Sequence, residues 1–255
     1  MLYFFYKKYG DLKTMKLIIV RHAEPDYSID SLTEKGFKEA EFLAQRLKKI
    51  KIDDVYVSRL GRAQDTARPY LKATGKKAEI CDWLVEFEGF ILDPETGEKR
   101  IPWDFMPSYW TKNEALFDKK LWLGQDVLKT GDVEEKYSWV IENLDNTLKK
   151  YGYERSGNMY NVTRVCDDTV VFFCHFGVEC VLLSHILNIS PIVLWQGFIA
   201  LPSSVTTLIS EERENGKAYF RCNGFGDISH LYANNEDPSF AGRFCELFSN
   251  EDERH

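Results

Sequence analysis

Two histidines stand directly after two apolar segments that have the composition of buried strands. His22 follows residues 16–20, with Arg21 between them, and His175 follows residues 169–174. Short apolar runs rich in β-branched residues are typical of strands buried on both faces of a parallel sheet. Ligands of open α/β sheets bind beyond the carboxyl ends of the strands. We therefore expect both imidazoles to open into one pocket.

A third segment, residues 53–57, also has the pattern of a strand, and Ser58 follows it directly. If this strand neighbours the other two, Ser58 and Arg62 join the pocket, which then holds two histidines and two arginines, Arg21 included. A guanidinium presents a fixed fork of donors to phosphate oxygens and stays charged at any working pH. Such a set can neutralise a phosphoryl group while a neutral imidazole nitrogen attacks phosphorus in line.

A leaving alcohol needs a proton, and a partly buried carboxylic acid supplies it best. Glu86 follows the short apolar run 78–81 and has aromatic neighbours in the sequence. It is the first candidate for the proton donor. Glu88, two residues further on, is the second candidate.

These residues resemble the motifs of the histidine phosphatase superfamily, also called the phosphoglycerate mutase-like family. The resemblance covers roughly residues 16–90 and 168–231. The matching segments, in order, are Arg21-His22-Ala23-Glu24, Leu32-Thr33 with Gly36 and Ala40, the run from Ser58 to Ala67, Leu84-Val85-Glu86, and His175-Phe176-Gly177-Val178.

The resemblance implies a phosphohistidine at His22, a phosphate held by Arg21, Arg62 and His175, and a proton donated by Glu86. The sequence departs from the family motifs at three positions. Glycine is usual at the positions of Ala23 and Phe176, and asparagine often stands at the position of Ser28. Ser28 is still expected to bind phosphate. Phe176 adds bulk beside the pocket and affects the shape of the substrate more than the chemical step.

Strands alternate with helical patterns along the chain, which predicts an α/β fold, a three-layer αβα arrangement with a mostly parallel central sheet. Thr33 is expected to cap a helix whose apolar stripe includes Phe37, Ala40, Ala44 and Leu47. Further helices are predicted at 61–74, 133–151 and 178–187, and closing strands at 205–210 and 218–222. Residues 1–14 are expected to form an N-terminal extension of one domain, 15–255, and residues 87–151 an insertion over its core.

The composition indicates which partners, locations and cofactors are not expected for this protein. The net charge is −7, with 33 basic and 40 acidic residues and no long basic run, so nucleic acid is not an expected partner. No stretch is apolar for the roughly 18 residues that a membrane span needs, and no signal peptide is evident, so a cytoplasmic protein is expected. The sequence has no metal-ligand motif and no CxxC pair, so neither a metal nor a cofactor is expected.

Three functions fit these residues. The first is hydrolysis of a small phosphorylated metabolite, the second is a phosphomutase with the same site, and the third is binding of a phospho-ligand without turnover. The short segment 23–31 favours hydrolysis, because its three acids, Glu24, Asp26 and Asp30, would repel the second phosphate that a mutase must hold. The tryptophans of the insertion form either a small core or an aromatic wall for the substrate, and they are Trp103, Trp110 and Trp122.

Overall fold

The computed structural model describes residues 14–241 and 247–250. The expected N-terminal extension, residues 1–14, lies outside the described residues except for Thr14. Within those ranges, no helix combines the length and the apolar character that crossing a bilayer requires.

The centre of the fold is an eight-stranded mixed sheet, accompanied by two small two-stranded sheets. The described strands are β1 (Lys16–Arg21), β2 (Pro25–Asp26), β3 (Ser31–Leu32), β4 (Asp54–Ser58), β5 (Glu79–Cys81), β6 (Ile91–Leu92), β7 (Lys99–Arg100), β8 (Tyr153–Ser156), β9 (Met159–Val162), β10 (Thr169–Cys174), β11 (Val205–Glu214) and β12 (Lys217–Asp227).

Helices cover both faces of this sheet. Thr33 caps the first helix by accepting a hydrogen bond from the Gly36 N–H at 3.0 Å, as predicted. Gly75, at φ +69°, ends the second helix. The described helices are α1 (Glu34–Leu47), α2 (Gly61–Thr74), α3 (Pro107–Trp110), α4 (Val133–Lys150), α5 (Phe176–Leu187), α6 (Pro191–Gly197) and α7 (Ser229–Tyr232), with 3-10 turns at Asp82–Leu84, Glu114–Leu116, Trp122–Gly124 and Asp126–Thr130.

The half of the sheet that carries the histidines is parallel. Strands β5, β4, β10 and β1 are adjacent in that order, and each pair is parallel. The sheet then continues through the antiparallel strands β11, β12, β9 and β8. The register pairs Arg21 with Cys174 and Ser58 with Cys81, so the carboxyl ends of the four parallel strands lie at one edge. This arrangement brings the candidate residues together.

The alternation of side chains along β1 explains the three layers. Leu17 and Ile19 point to a core cluster that includes residues of α4 and α5, whereas Ile18 and Val20 point to a second cluster with residues of α1 and α2. Successive side chains of a strand face opposite sides of the sheet, so a continuous apolar run supports a helical layer on each face. Each buried aliphatic side chain contributes about 2 kcal/mol relative to an exposed one.

Residues 87–151, the predicted insertion, include α4 and pack beside α5 on one face of the sheet. The buried residues of this segment belong to the same core cluster as Phe172 of β10 and Trp195 of α6. Trp122, with 2% of its surface exposed, lies edge-on to Trp195 at 6.1 Å and to Tyr137 at 4.9 Å. Helix α4 buries Val140, Leu144 and Leu148, the three residues that predicted it.

Two sequence-based expectations need correction. Phe37 is 42% exposed, because the buried stripe of α1 centres on Ala40 and Leu43 and Phe37 falls at its edge. The closing strands β11 and β12 are longer than the predicted segments 205–210 and 218–222, because a tight turn at Gly216, φ +71°, lets the hairpin continue to its tip.

Gly36 permits a close approach between α1 and the loop after β1, so Gly36→Ala should destabilise the fold. A Cβ atom at this position would lie 2.2 Å from the Glu24 carbonyl oxygen, and relieving that overlap should lower the free energy of unfolding by about 1–3 kcal/mol despite the better helix propensity of alanine. Urea unfolding measures this change. Gly197→Ala is the matched control, since no atom lies within 4 Å of the Cβ it adds; equal stability of the two variants would contradict the packing argument.

Candidate active site

The two histidines meet at the carboxyl edge of the parallel strands. The rings of His22 and His175 lie with their centroids 5.0 Å apart and their planes at 55°. The ladder of β1 and β10 continues one residue beyond the strands, because the His22 N–H donates to the Cys174 carbonyl at 2.9 Å. The exposed fractions are 2% for His22 and 0% for His175, so both rings are buried.

One hydrogen bond decides the tautomer of His22. Its Nδ1 lies 2.8 Å from the carbonyl oxygen of Ala23, and a carbonyl can only accept, so Nδ1 carries the proton. The lone pair of the neutral ring is therefore on Nε2. Burial lowers the pKa of His22 well below its ordinary value of 6.5, and the charge of Arg21 lowers it further. The ring is thus neutral and nucleophilic at neutral pH.

His175 is held by the neighbouring strand. Its Nε2 lies 2.9 Å from the Ser58 hydroxyl, at the end of β4. Its buried Nδ1 has no hydrogen-bond partner among the described residues. Burial lowers the pKa of His175 well below 6.5, and His22 and Arg62 lower it further. His175 therefore presents a neutral ring with one nitrogen left for a ligand.

Arg62 is fixed by the loop between β2 and β3. Its Nη1 donates to Asp30 Oδ1 at 2.6 Å, and Asp30 Oδ2 accepts the N–H of Gly61 at 2.7 Å. The guanidinium also lies over the ring of Tyr27, 5.4 Å from its centroid. Its buried Nε has no hydrogen-bond partner among the described residues. Asp30 thus fixes Nη1 of the Arg62 guanidinium and leaves its Nε for a ligand.

Arg21 enters the site from the end of β1. Its side chain is 3% exposed, and its Nη1 donates to the carbonyl of Ala200. The guanidinium lies 5.7 Å from the centroid of the Phe176 ring. Burial lowers the pKa of Arg21 below its ordinary value, and Tyr27 and Glu86 act against this shift. The residue nevertheless stays a cation under any working condition.

Glu86 lies beside the first turn of α5. Its Oε1 accepts the N–H of Phe87 at 2.7 Å and the N–H of Val178 at 3.1 Å. Burial raises its pKa above 4.5, although these N–H groups and Arg21 oppose the shift. A Cβ on Gly177 would lie 2.6 Å from Glu86 Oε1 and 2.5 Å from the Trp103 ring, so glycine is required where the acid, the insertion and α5 meet.

Two predicted residues lie at the surface. Ser28 is exposed, and both its N–H and its hydroxyl donate to Asp26. Glu88 is also exposed, whereas Glu86 is half-buried, so the geometry favours Glu86 as the acid. A phosphate contact by Ser28 stays a prediction, and it requires the hydroxyl to leave Asp26.

Three further residues of the site, Asp30, Thr66 and Glu179, were not predicted as functional. Asp30 holds Arg62, and Thr66 Oγ1 accepts the N–H of Ala23 at 2.9 Å while donating to the Arg62 carbonyl at 2.7 Å. Trp103 covers Gly177 beside the acid. Glu179 is buried in the first turn of α5, and burial raises its pKa to about 7 despite the charge of Arg21. Only Thr66 carried a signal, through its place in the Ser58–Ala67 motif.

Metal ligands are a separate question. Across residues 14–241 and 247–250, no group of three His, Cys, Asp or Glu side chains is arranged to hold a metal ion.

Asp30→Asn should weaken phosphate binding, because it removes the charge that orients Arg62 while keeping the side-chain shape. We expect the inhibition constant for inorganic phosphate to rise about three- to tenfold, from loss of a charge-assisted hydrogen bond. Arg62 and two N–H groups hold the pKa of Asp30 below 3.8, so in the wild type the clamp is present above that value and is lost only in stronger acid. Asp26→Asn, in the adjacent strand β2, is the control. Equal inhibition constants for wild type and Asp30→Asn would refute the clamp.

Comparison with known proteins identifies the family. The model of the histidine phosphatase superfamily, branch 1, matches residues 17–102. A probable phosphatase of Schizosaccharomyces pombe is 36% identical over 231 residues, which cover 85% of this chain and 95% of that protein.

Solved structures show the same fold. A phosphoserine phosphatase variant from Entamoeba histolytica, crystallised with phosphoserine, has a TM-score of 0.54 at 20% identity, with 85% of this chain and 99% of that chain covered. A mycobacterial glucosyl-3-phosphoglycerate phosphatase has a TM-score of 0.53 at 20% identity, with 84% and 99% covered. Together with the motif residues at one edge of the sheet, these similarities show that the chain belongs to the histidine phosphatase superfamily, branch 1, and is a phosphohydrolase.

Proposed function

We propose that the protein hydrolyses the phosphomonoester of a small metabolite through a phosphohistidine on His22 Nε2. The observation that carries this proposal is the hydrogen bond from His22 Nδ1 to the Ala23 carbonyl, which leaves the lone pair on Nε2. A buried imidazole that stays neutral is a competent nucleophile at neutral pH, since no proton must first be removed from it.

Buried donors around His22 support the phosphate-binding role. Arg62 Nε and His175 Nδ1 are both buried without hydrogen-bond partners among the described residues. A buried polar group without a partner costs roughly 1–3 kcal/mol, so a ligand that satisfies both is stabilised there. Arg21 adds a second guanidinium. Three oxygens of a phosphoryl group match this set in charge and in number.

The reaction proceeds in two steps. In the first, His22 Nε2 forms a bond to phosphorus while the bond to the leaving oxygen breaks, and Glu86 gives that oxygen its proton. In the second, water attacks phosphorus, the bond to nitrogen breaks, and the Glu86 carboxylate takes the proton from the water. Inorganic phosphate leaves, and both residues return to their starting states.

Hydrolysis rather than isomerisation is favoured by the loop beside the nucleophile. A mutase must hold a second phosphate while its intermediate reorients, which calls for additional cations close to the histidine. The segment 23–31 contributes acids instead, and Asp30 already engages Arg62. We therefore assign water as the acceptor of the phosphoryl group.

His22→Ala should abolish turnover, with a loss of more than about a thousandfold, because no other described side chain presents a neutral nitrogen at this position. The wild type, mixed rapidly with ³²P-labelled substrate and stopped in alkali, should carry label on protein, and the variant should carry none. Thermal unfolding of both proteins checks that the variant folds. Turnover within tenfold of wild type, or label on the variant, would refute the mechanism.

Glu86→Gln should slow poor leaving groups far more than good ones. We expect alkyl phosphates such as glycerol 3-phosphate to lose about a hundredfold to ten-thousandfold in kcat/KM, which reports the first step, and p-nitrophenyl phosphate to lose less than about tenfold, since its phenolate leaves without a proton. The raised pKa of Glu86 and the lowered pKa of His22 place maximal activity where the acid is protonated and the ring is neutral.

The alkaline limb of the pH profile should therefore be missing in Glu86→Gln. Glu88→Gln is the matched control and should keep both the wild-type profile and the wild-type rates, since Glu88 is exposed. If Glu86→Gln lowers the turnover of alkyl and aryl phosphates by the same factor, Glu86 is not the proton donor.

A further inference from the structure

A tight turn, residues 201–204, lies against the backbone of His22. The N–H of its last residue donates to the carbonyl of its first at 3.0 Å. Pro202 occupies the second position of the turn, and Ser203 occupies the third at φ +60°. Proline followed by a positive φ marks a type II turn, whose third position favours glycine because other residues are strained there. Ser203 therefore carries a side chain where glycine would fit at lower cost.

This turn fixes the peptide group between His22 and Ala23. The Ser203 N–H donates to the His22 carbonyl at 3.0 Å. At the other end of the same peptide group, the Ala23 N–H donates to Thr66 Oγ1 at 2.9 Å. The Ala23 carbonyl, which sets the tautomer of His22, follows directly in the chain. The orientation of the His22 ring therefore depends on the position of Ser203 as well as on Thr66.

The hydroxyl of Ser203 is held by a buried histidine of α7. Ser203 Oγ lies 3.1 Å from His230 Nε2, and the two residues are 0% and 4% exposed. Burial lowers the pKa of His230 to about 4, and the charge of Arg46 lowers it further, so the ring is neutral at neutral pH. His230 Nδ1 is buried without a hydrogen-bond partner among the described residues. The polar contact of this ring is thus directed at Ser203.

Packing alone does not explain a histidine at position 230. A buried imidazole with one unpaired nitrogen is less favourable than an apolar side chain of similar size. The short helix that carries it is also anchored. Asp227 Oδ1 accepts the Ser229 N–H at 2.7 Å, and Asp227 Oδ2 accepts a hydrogen bond from Arg46 Nη2 of α1 at 2.8 Å. His230 therefore holds the Ser203 hydroxyl from a fixed element.

We propose that Ser203 and His230 form a positioning pair for His22, in which the hydrogen bond between them keeps Ser203 at its positive φ and the Ser203 N–H fixes the His22 carbonyl. The proposal rests on the role of His22 as nucleophile proposed above. In-line attack on phosphorus requires an accurately placed Nε2, and a displacement of about 1 Å can lower the rate about a hundredfold. The pair should therefore affect transfer of the phosphoryl group, whereas Arg62 and His175 still bind phosphate.

Ser203→Gly tests the hydroxyl, because it keeps the N–H and suits the positive φ. We expect kcat/KM and the rate of labelling of the protein by ³²P-labelled substrate to fall about tenfold to a hundredfold. The inhibition constant for inorganic phosphate should stay within about twofold, a separation that a general loss of stability does not produce. Ser204→Ala is the matched control and should keep the wild-type rates, since its buried hydroxyl has no hydrogen-bond partner among the described residues.

A double-mutant cycle tests the pair itself. His230→Leu should lose as much labelling rate as Ser203→Gly, and His230→Gln, whose amide can still reach the hydroxyl, should stay within about threefold of wild type. The variant with both Ser203→Gly and His230→Leu should be no more than about threefold slower than the slower single variant, because both residues act through one bond. Thermal unfolding checks each protein, and if His230→Leu does not fold, Ser203→Gly and His230→Gln decide the question.

The outcomes separate the two proposals. Wild-type labelling rates in Ser203→Gly, or losses that multiply in the double variant, would overturn the positioning pair while the wild type still carries label. Equal losses of labelling rate and phosphate binding in Ser203→Gly would also overturn it, because the turn would then support the whole site and not His22 in particular. Absence of label on the wild-type protein would instead overturn the proposed function.

Discussion

The hydrogen bond between His22 Nδ1 and the Ala23 carbonyl is the interaction on which the site depends, because it decides which nitrogen can react. That carbonyl is itself fixed. The Ala23 N–H donates to Thr66 Oγ1, and the Thr66 hydroxyl donates in turn to the carbonyl of Arg62. The proposed nucleophile, His22, and the proposed phosphate-binding arginine, Arg62, are therefore linked through one threonine, which holds the loop after β1 against helix α2.

The charges of the site favour neutral histidines and a protonated acid. Arg21 and Arg62 surround the two rings, and burial adds to their effect, so both imidazoles titrate well below 6.5. The same burial raises the pKa of Glu86. The same buried environment thus lowers the pKa of the imidazoles and raises the pKa of the carboxyl group, as nucleophilic attack and proton donation require.

The grouping of His22, Ser58 and His175 could be predicted from the sequence because each of them stands at the end of an apolar strand. His22, Ser58 and His175 follow β1, β4 and β10 closely in the chain, so the parallel sheet alone brings them together. The clamp of Arg62 by Asp30 could not be predicted, because it depends on a loop residue at φ +48° and on close contact with Gly61. Residues 87–132 have no repeating apolar pattern, so the packing of Trp122 in the core and of Trp103 beside Gly177 could be found only from the structure.

Gly177 lies where Glu86, the proposed proton donor, meets Trp103 of the segment 87–151. Because Gly177 has no side chain, the Glu86 carboxylate and the Trp103 ring can pack against α5 at this position. A chimera that received another insertion in place of residues 87–151 would change the volume filled by Trp103 and so displace the acid, even with every catalytic residue kept. On the proposed mechanism, a replacement of residues 87–151 therefore has to fit at residue 177 if Glu86 is to stay in place.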